Sequence, residues 1–247
     1  MKFLAAAVPV VVWFFVAPHL PYIGHAWNVA LVSVAVLPGT LLLALLALPL
    51  WKRGPWLWLA VLVLALLALL FTVTHHGLEA NFAKLFAALF AGWAFLSLFE
   101  ALSWVVIIAL VIPFVDIISV WRGPTHAITQ KHFHVYLDVA IAFLVPGGGA
   151  AYLGPPDVLF YALFLAAAAR LHLRVFWTWF AMTAMYGFTV VLAYAVDVSG
   201  LPALPFLSFG FLVANADLIW RAIRRRPRSE GSSTGPASSS ADDRAPS

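Results

Sequence analysis

Two aspartates, Asp116 and Asp157, lie in long apolar stretches of the chain. A carboxylate in the hydrocarbon of a membrane costs about 3 kcal/mol on insertion scales, so chains keep such residues where they pair, line a cavity or take part in chemistry. Two carboxylates close together cannot both ionise readily, and the pair then shares a proton. A shared proton is the electrostatic basis of aspartic hydrolases, so the two residues are candidates for a catalytic pair.

The local sequence also allows a simpler interpretation of each aspartate. Asp116 lies five residues before the end of its apolar run, where an acid can reach the membrane surface, and Pro113 before it loosens a helix. Asp157 follows Gly154-Pro155-Pro156 and opens an apolar run. Proline and an acidic residue are both common in the first turn of a helix. Taken singly, neither aspartate establishes a site.

A third element, Pro202-Ala203-Leu204-Pro205, precedes the last apolar stretch. One interpretation is a helix start, where proline leaves no backbone donor unmet. The other is an extended stretch beside a cavity, since such backbone is tolerated at membrane depth only where protein or water covers it. Its N–H and C=O groups can then pair with an extended peptide as an added strand.

The composition is that of a multi-pass membrane protein. The chain has 247 residues, of which 64% are hydrophobic and 10% charged, and its mean hydropathy is +0.99. Soluble domains are about half apolar and a quarter charged. The absence of cysteine excludes disulfides, thiolate catalysis and cysteine-bound metals. Five of the 14 Lys and Arg residues lie between Arg221 and Arg228, which indicates a topology signal or a lipid contact and not nucleic-acid binding.

We expect an all-α bundle of about 8–9 spans. A helix needs about 20 apolar residues to cross a bilayer, so Val135–Pro146 is predicted to be a re-entrant or interfacial segment. The long run Phe82–Trp121 must contain two spans, and Ser97–Glu100 fits a capping box at the break. The predicted spans lie near 3–17, 26–50, 56–73, 81–96, 98–121, 151–171, 175–196 and 203–222.

These spans predict one membrane domain at 1–226, with N-terminal helices at 1–99 and site-bearing helices at 100–226, and a disordered polar tail at 227–247. The first run has no clear small-x-small site nearby, so we expect it to be retained as a span and not cleaved as a signal peptide. The distribution of Lys and Arg favours a cytoplasmic C-terminus. A short tailed chain without added domains suggests a prokaryotic plasma membrane.

In this order, the three elements resemble the presenilin and signal peptide peptidase family of intramembrane aspartyl proteases, most closely its archaeal presenilin-like branch. Val115-Asp116-Ile117-Ile118-Ser119-Val120-Trp121 matches the family's Tyr-Asp motif with Val for Tyr. Gly154-Pro155-Pro156-Asp157 matches Gly-x-Gly-Asp with Pro for the second Gly. Leu201-Pro202-Ala203-Leu204-Pro205-Phe206-Leu207 matches the Pro-Ala-Leu motif. Tyr136-Leu137-Asp138 resembles the linker of the archaeal branch, and the resemblance covers roughly residues 100–222.

The resemblance implies a presenilin-like fold and an intramembrane aspartic endopeptidase that needs no metal or cofactor. Asp116 and Asp157 are then the catalytic residues. The expected partners are membrane lipids and transmembrane helical peptides or signal-peptide remnants, with no nucleic acid and an open oligomeric state. The residues implied in substrate binding are Gly154, Pro202, Ala203, Leu204 and Pro205.

Two other functions remain open on the sequence. With Pro156 in the motif, the chain fits a catalytically inactive presenilin-like protein, and acids within broken helices also serve small proton-coupled transporters. The remaining acids Asp138, Asp197 and Asp217 lie near predicted interfaces or the end of a span and are interpreted as structural, with Asp217 positioned to pair with Arg221 one turn away. A less favoured interpretation makes Asp138 part of a gate over the site.

Overall fold

The computed structural model describes residues 2–122, 133–198 and 201–224, which are mostly helical. The predicted tail at 227–247 lies outside these residues. Helix α2 continues through a π-helical turn, Val32–Val36, into α3, and short 3-10 helices occupy Ala17–His19 and Leu48–Arg53. The helices are α1 (Lys2–Val16), α2 (His25–Leu31), α3 (Leu37–Ala47), α4 (Trp56–Val73), α5 (Gly77–Leu96), α6 (Leu102–Arg122), α7 (Phe133–Val139), α8 (Pro155–Arg170), α9 (Val175–Ala195) and α10 (Leu204–Arg224).

Within the described residues, six helical segments are long and apolar enough to cross a membrane. They are α1, the α2–α3 segment, α4, α6, α9 and α10. Only 11% of the residues in the α4 and α6 windows are buried in the protein, so their apolar side chains suit contact with lipid. These segments support the predicted membrane protein. Helix α5 and the 16-residue α8 are not among the six.

A β-hairpin departs from the predicted all-α fold. Strand β1 (Ile141–Val145) pairs antiparallel with β2 (Gly149–Leu153). Gly147 and Gly148 in the connecting turn have φ of +85° and +76°, which glycine adopts at little cost. The predicted re-entrant segment Val135–Pro146 is therefore divided between α7 and β1. An apolar run of this length fits a strand or a helix by periodicity alone.

The helix boundaries correct two further predictions. The capping box at Ser97–Glu100 is wrong, because Ser97 lies at the C-terminus of α5 and its hydroxyl donates to the Ala94 carbonyl at 2.5 Å. The break lies there, but α6 begins at Leu102. The span predicted at 151–171 begins as a helix only at Pro155, because the residues before it belong to β2.

Helix α8 lies at the centre of the bundle. The eight consecutive residues from Tyr161 to Ala168 are fully buried, and eight residues cover more than two helical turns, so protein surrounds this helix on every side. Close packing against α5 occurs at Gly92, where an added Cβ would lie 2.2 Å from the Leu159 carbonyl oxygen. Small residues permit such close approach between membrane helices.

Polar contacts join the helix ends farthest from the hairpin. Arg170 donates to the carbonyl oxygens of Leu96 and Phe99 at 3.1 and 2.8 Å, and so places a cation at the C-terminus of α5. Arg174 pairs with Asp217 at 2.8 Å. The predicted partner of Asp217, Arg221, lies at 4.0 Å, so that pair is present but is the longer of the two.

The contact at Gly92 predicts a stability difference between two glycine substitutions. Gly92→Ala would push α5 away from α8 and lower the free energy of unfolding by about 1–3 kcal/mol, as overpacking does. Gly77→Ala is the matched control, because its added Cβ meets nothing within 4 Å. Unfolding in detergent, followed by circular dichroism, measures both. Equal stability of the two variants would contradict the close approach.

Candidate active site

Asp116 joins α6 to the first residue of α10. Its Oδ2 accepts a hydrogen bond from the Leu204 N–H at 3.0 Å. The first N–H groups of a helix have no partner within the helix, and the helix dipole places positive charge there. Asp116 therefore caps α10 from another helix. Asp116 therefore has a structural partner, and the same hydrogen bond holds the Pro-Ala-Leu element beside α6.

Asp157 lies in the first turn of α8, as the simpler interpretation of the sequence predicted. Its Oδ2 accepts from the Gly154 N–H at 3.1 Å, and Pro155 and Pro156 occupy the first two helical positions. Proline there removes only N–H groups that have no partner within the helix. Pro156 is thus compatible with the local backbone, and the bond from Gly154 orients the carboxylate.

The two aspartates lie close enough for their charges to interact, although 40 residues separate them in the chain. The fold also brings together the other predicted site residues. Gly154 contacts Asp157, Leu204 contacts Asp116, and Pro202 and Ala203 form a buried, non-helical approach to α10. Pro205 is the second residue of α10. This arrangement can present two carboxyl groups to one bound molecule.

Tyr186 on α9 is a site residue that sequence reasoning missed. Its hydroxyl donates to the backbone carbonyl of Asp157 at 2.5 Å, and it interacts electrostatically with both aspartates. Its ring stacks on Tyr161 at 5.7 Å, and the Tyr161 hydroxyl bonds the Thr183 hydroxyl at 2.8 Å. A tyrosine in the middle of an apolar span needs a partner for its hydroxyl, and that need was the available signal.

Tyr136 on α7 lies over the same site from outside the spans. Burial raises the pKa of its hydroxyl to about 12, and the negative charge of Asp157 contributes to the increase. The hydroxyl therefore stays protonated at ordinary pH and serves as a hydrogen-bond donor. Its ring lies 6.4 Å from that of Tyr152 on β2, so α7 and the hairpin pack together near Asp157.

The two edges of the hairpin differ. On β1, the Ala142 N–H and C=O both bond the Asn81 side chain, at 2.7 and 2.9 Å, and Trp13 donates to the Leu144 carbonyl at 3.0 Å. The backbone N–H and C=O groups of Ala142 and Leu144 therefore point away from β2. In an antiparallel pair, the same groups of the residues directly opposite, Tyr152 and Ala150, then point away from β1. Within the described part of the chain, no backbone hydrogen bond fills that outer edge of β2.

One backbone N–H group of the Pro-Ala-Leu element already donates a hydrogen bond within the protein. The Leu204 N–H bonds Asp116, and the Ala203 carbonyl accepts from the Leu207 N–H at 3.0 Å. Proline has no N–H, so Pro202 and Pro205 add no donor. Substrate binding by this element stays a prediction. Its bond from the Leu204 N–H gives it a further role, which is to position the Asp116 carboxylate.

In the described part of the chain, no hydrogen bond or ion pair joins Asp138, Asp197 or Asp217 to the two candidate acids. Asp138 is exposed near the end of α7, and Asp197 is exposed with a φ of +53° after α9. Asp217 belongs to the arginine pairs described above.

A comparison with protein families, curated proteins and solved structures finds no match to this chain. The fold and the site together define a helical membrane protein that carries a pair of interacting carboxylates.

The cap from Asp116 to α10 predicts a difference between two substitutions that both remove the charge. Asp116→Asn keeps an oxygen acceptor for the Leu204 N–H, whereas Asp116→Ala leaves that donor unpaired. We expect the Ala variant to be less stable than the Asn variant by about 1 kcal/mol, the cost of losing an N-terminal cap. Unfolding in detergent measures the difference.

Asp138 is the control for this comparison, because no hydrogen bond to its side chain is present among the described residues. There, Ala should be at least as stable as Asn, since Ala is the better helix former. An Asp116 pair that behaves like the Asp138 pair would contradict the cap.

Proposed function

We propose that this protein is an intramembrane aspartic endopeptidase that hydrolyses peptide bonds within transmembrane helices or signal-peptide remnants. The observation that carries the proposal is the pairing of Asp116 and Asp157. Two acids from separate helices interact electrostatically, and one of them bonds the Leu204 N–H of the Pro-Ala-Leu segment. A purely structural acid needs a donor, but it does not need a second acid as a neighbour.

The proposal includes a presenilin-like arrangement of the spans. Helices α5 and α8 are then two further membrane-embedded helices beside the six apolar ones, in a multi-pass protein of a prokaryotic plasma membrane with its C-terminus in the cytoplasm. Helix α8 is shorter than a bilayer requires. In this arrangement the hairpin before α8 completes the crossing. The Asn81 side chain bonds the outer backbone groups of Ala142 on β1, as buried backbone in a membrane requires.

The mechanism follows from a shared proton. Like charges this close disfavour double ionisation, so one carboxyl of the pair is protonated while the other is ionised. The ionised carboxylate takes a proton from water, which attacks the peptide carbonyl carbon. The protonated carboxyl donates a hydrogen bond to the carbonyl oxygen and then gives its proton to the leaving nitrogen as the C–N bond breaks, while the proton taken from water stays on the other carboxyl. The bonds from Leu204 and Gly154 hold the carboxylates in place for these steps.

The substrate backbone must leave its helix before water can reach a peptide bond. The outer edge of β2 offers the N–H and C=O groups of Ala150 and Tyr152, and these can pair with an extended segment as an added strand. Strand β2 leads directly through Gly154 to Asp157. A peptide paired on this edge therefore runs toward the acids.

The first prediction from this function concerns the two acids. Purified protein in detergent should cleave a labelled transmembrane peptide, and Asp116→Asn and Asp157→Asn should each abolish cleavage, because each carboxyl has a separate part in proton transfer. Removing one member of a general acid–base pair typically costs about 10²–10⁴-fold in rate. Mass spectrometry of the products locates the cut.

Asp197→Asn is the matched control, because Asp197 is exposed and asparagine tolerates its positive φ. It should cleave at the rate of the unmodified protein. Retained cleavage in either the Asp116 or the Asp157 variant would disprove the catalytic pair. No cleavage of several peptides by well-folded protein would instead favour an inactive relative or a transporter.

A second prediction concerns the edge of β2. Tyr152→Pro removes an N–H that faces away from β1, and proline is tolerated at such an edge position. Cleavage should fall about two- to tenfold below that of Tyr152→Ala, which loses the same side chain but keeps the N–H, because one strand hydrogen bond to the substrate is lost. Equal rates for the two variants would show that the substrate does not pair with this strand.

A further inference from the structure

A cavity of about 770 Å³ lies between α4, α5 and α8. This volume falls within the range of small-molecule sites, about 300–1,000 Å³. Most of its wall is aliphatic or aromatic, and Pro155 and Pro156 at the start of α8 form part of it. Leu69 on its rim is 61% exposed on the apolar face of α4, so the cavity is accessible from the side of the helix that suits lipid. Apolar lining residues include Val61, Ala65, Ala91, Phe95 and Leu159.

The cavity is polar at one end and apolar along its length. On α4 it extends from Val61 to Val73, which at 1.5 Å per residue is about 18 Å. Of the α5 residues that line it, Lys84 is nearest to the turn that joins α4 and α5. A helical side chain points back toward the N-terminus of its helix, which carries the Lys84 ammonium farther toward that turn. This polarity matches an amphiphile with its headgroup at the turn and its chain along α4.

Two opposite charges lie at the polar end. Lys84 and Asp138 both line the cavity and interact electrostatically. Direct ion pairs in the described chain join Asp217 to Arg174 and Arg221, but none joins Lys84 to Asp138. The two charged groups are thus close but not in contact. A molecule that carries both a negative and a positive group can satisfy both of them.

We propose that this cavity binds one acyl chain of a phospholipid whose headgroup carries a phosphate and a primary ammonium, as in an ethanolamine phospholipid. Lys84 binds the phosphate, and Asp138 binds the ammonium. Such an ammonium has three N–H donors for a carboxylate, whereas the quaternary nitrogen of choline has none. A purely anionic headgroup satisfies Lys84 but meets repulsion from Asp138. The site is independent of the proposed protease activity.

Lipid competition tests the proposal on the full chain. Delipidated protein in detergent is mixed with equal amounts of phosphatidylethanolamine, phosphatidylcholine and phosphatidylglycerol with identical acyl chains, and native mass spectrometry counts the lipid retained. One phosphatidylethanolamine should be retained in about two- to tenfold preference, the range expected for one net hydrogen bond. Equal retention of the three lipids would overturn the proposal.

Charge variants then test each contact. Lys84→Gln should lower retention of all three lipids, since each carries a phosphate. Asp138→Asn should shift the preference from phosphatidylethanolamine toward phosphatidylglycerol, because it removes both the ammonium partner and the repulsion. Lys52→Gln is the control, because Lys52 is exposed on the 3-10 helix before α4 and does not line the cavity. A phosphatidylethanolamine preference that survives both Lys84→Gln and Asp138→Asn would also overturn the proposal.

A third variant separates the chain from the headgroup. Ala91→Phe fills part of the apolar cavity and leaves Lys84 and Asp138 in place. We expect it to reduce retention of all three lipids, with an unchanged helical circular dichroism spectrum as the check of folding. Unaltered retention in a folded Ala91→Phe variant would place the bound lipid outside this cavity. Proteolysis enters none of these measurements, so failure of the protease proposal leaves this result intact.

Discussion

A polar group buried among apolar helices needs a hydrogen-bond partner within the protein, and these partners hold the helices of this bundle together. Asp116 accepts the first N–H of α10, Asp157 accepts the Gly154 N–H, and Asn81 bonds both backbone groups of Ala142. Each bond joins the end of an element to its surroundings. An unpaired group in such a place costs several kcal/mol, so these contacts define where helices and strands begin. Two of these ends, the starts of α8 and α10, carry the candidate site.

The buried helix α8 links that site to the rest of the molecule. Its first turn carries Asp157, its middle is surrounded by protein, and Arg170 at its far end bonds carbonyls at the end of α5. Because a buried helix packed closely at Gly92 cannot shift without opening gaps, this packing holds Asp157 in position relative to α5. Tyr186 adds a bond at the level of Asp157 itself. The lipid-accessible cavity reaches the same first turn through Pro155 and Pro156.

Several elements could be predicted from the sequence, and others could not. The span predicted at 56–73 is α4 as Trp56–Val73, and the span at 175–196 is α9 as Val175–Ala195, because long apolar runs between polar turns have few alternative structures. The hairpin escaped prediction because its strands are too short for periodicity to separate strand from helix. The glycine pair Gly147-Gly148 between them was the available turn signal. The capping box failed because the Ser97 hydroxyl bonds the preceding turn instead.

The sequence by itself determined the apolar stretches, the two acids within them and the proline-bounded segment Pro202–Pro205, since composition and local propensity act over a few residues. It also determined the helix start at Asp157, whose partner Gly154 is three residues away. Only the tertiary structure decided that Asp116 bonds Leu204 across 88 residues, that Tyr186 bonds the Asp157 carbonyl, and that the two acids interact. Contacts between distant residues depend on how whole helices pack, and no local pattern encodes that packing.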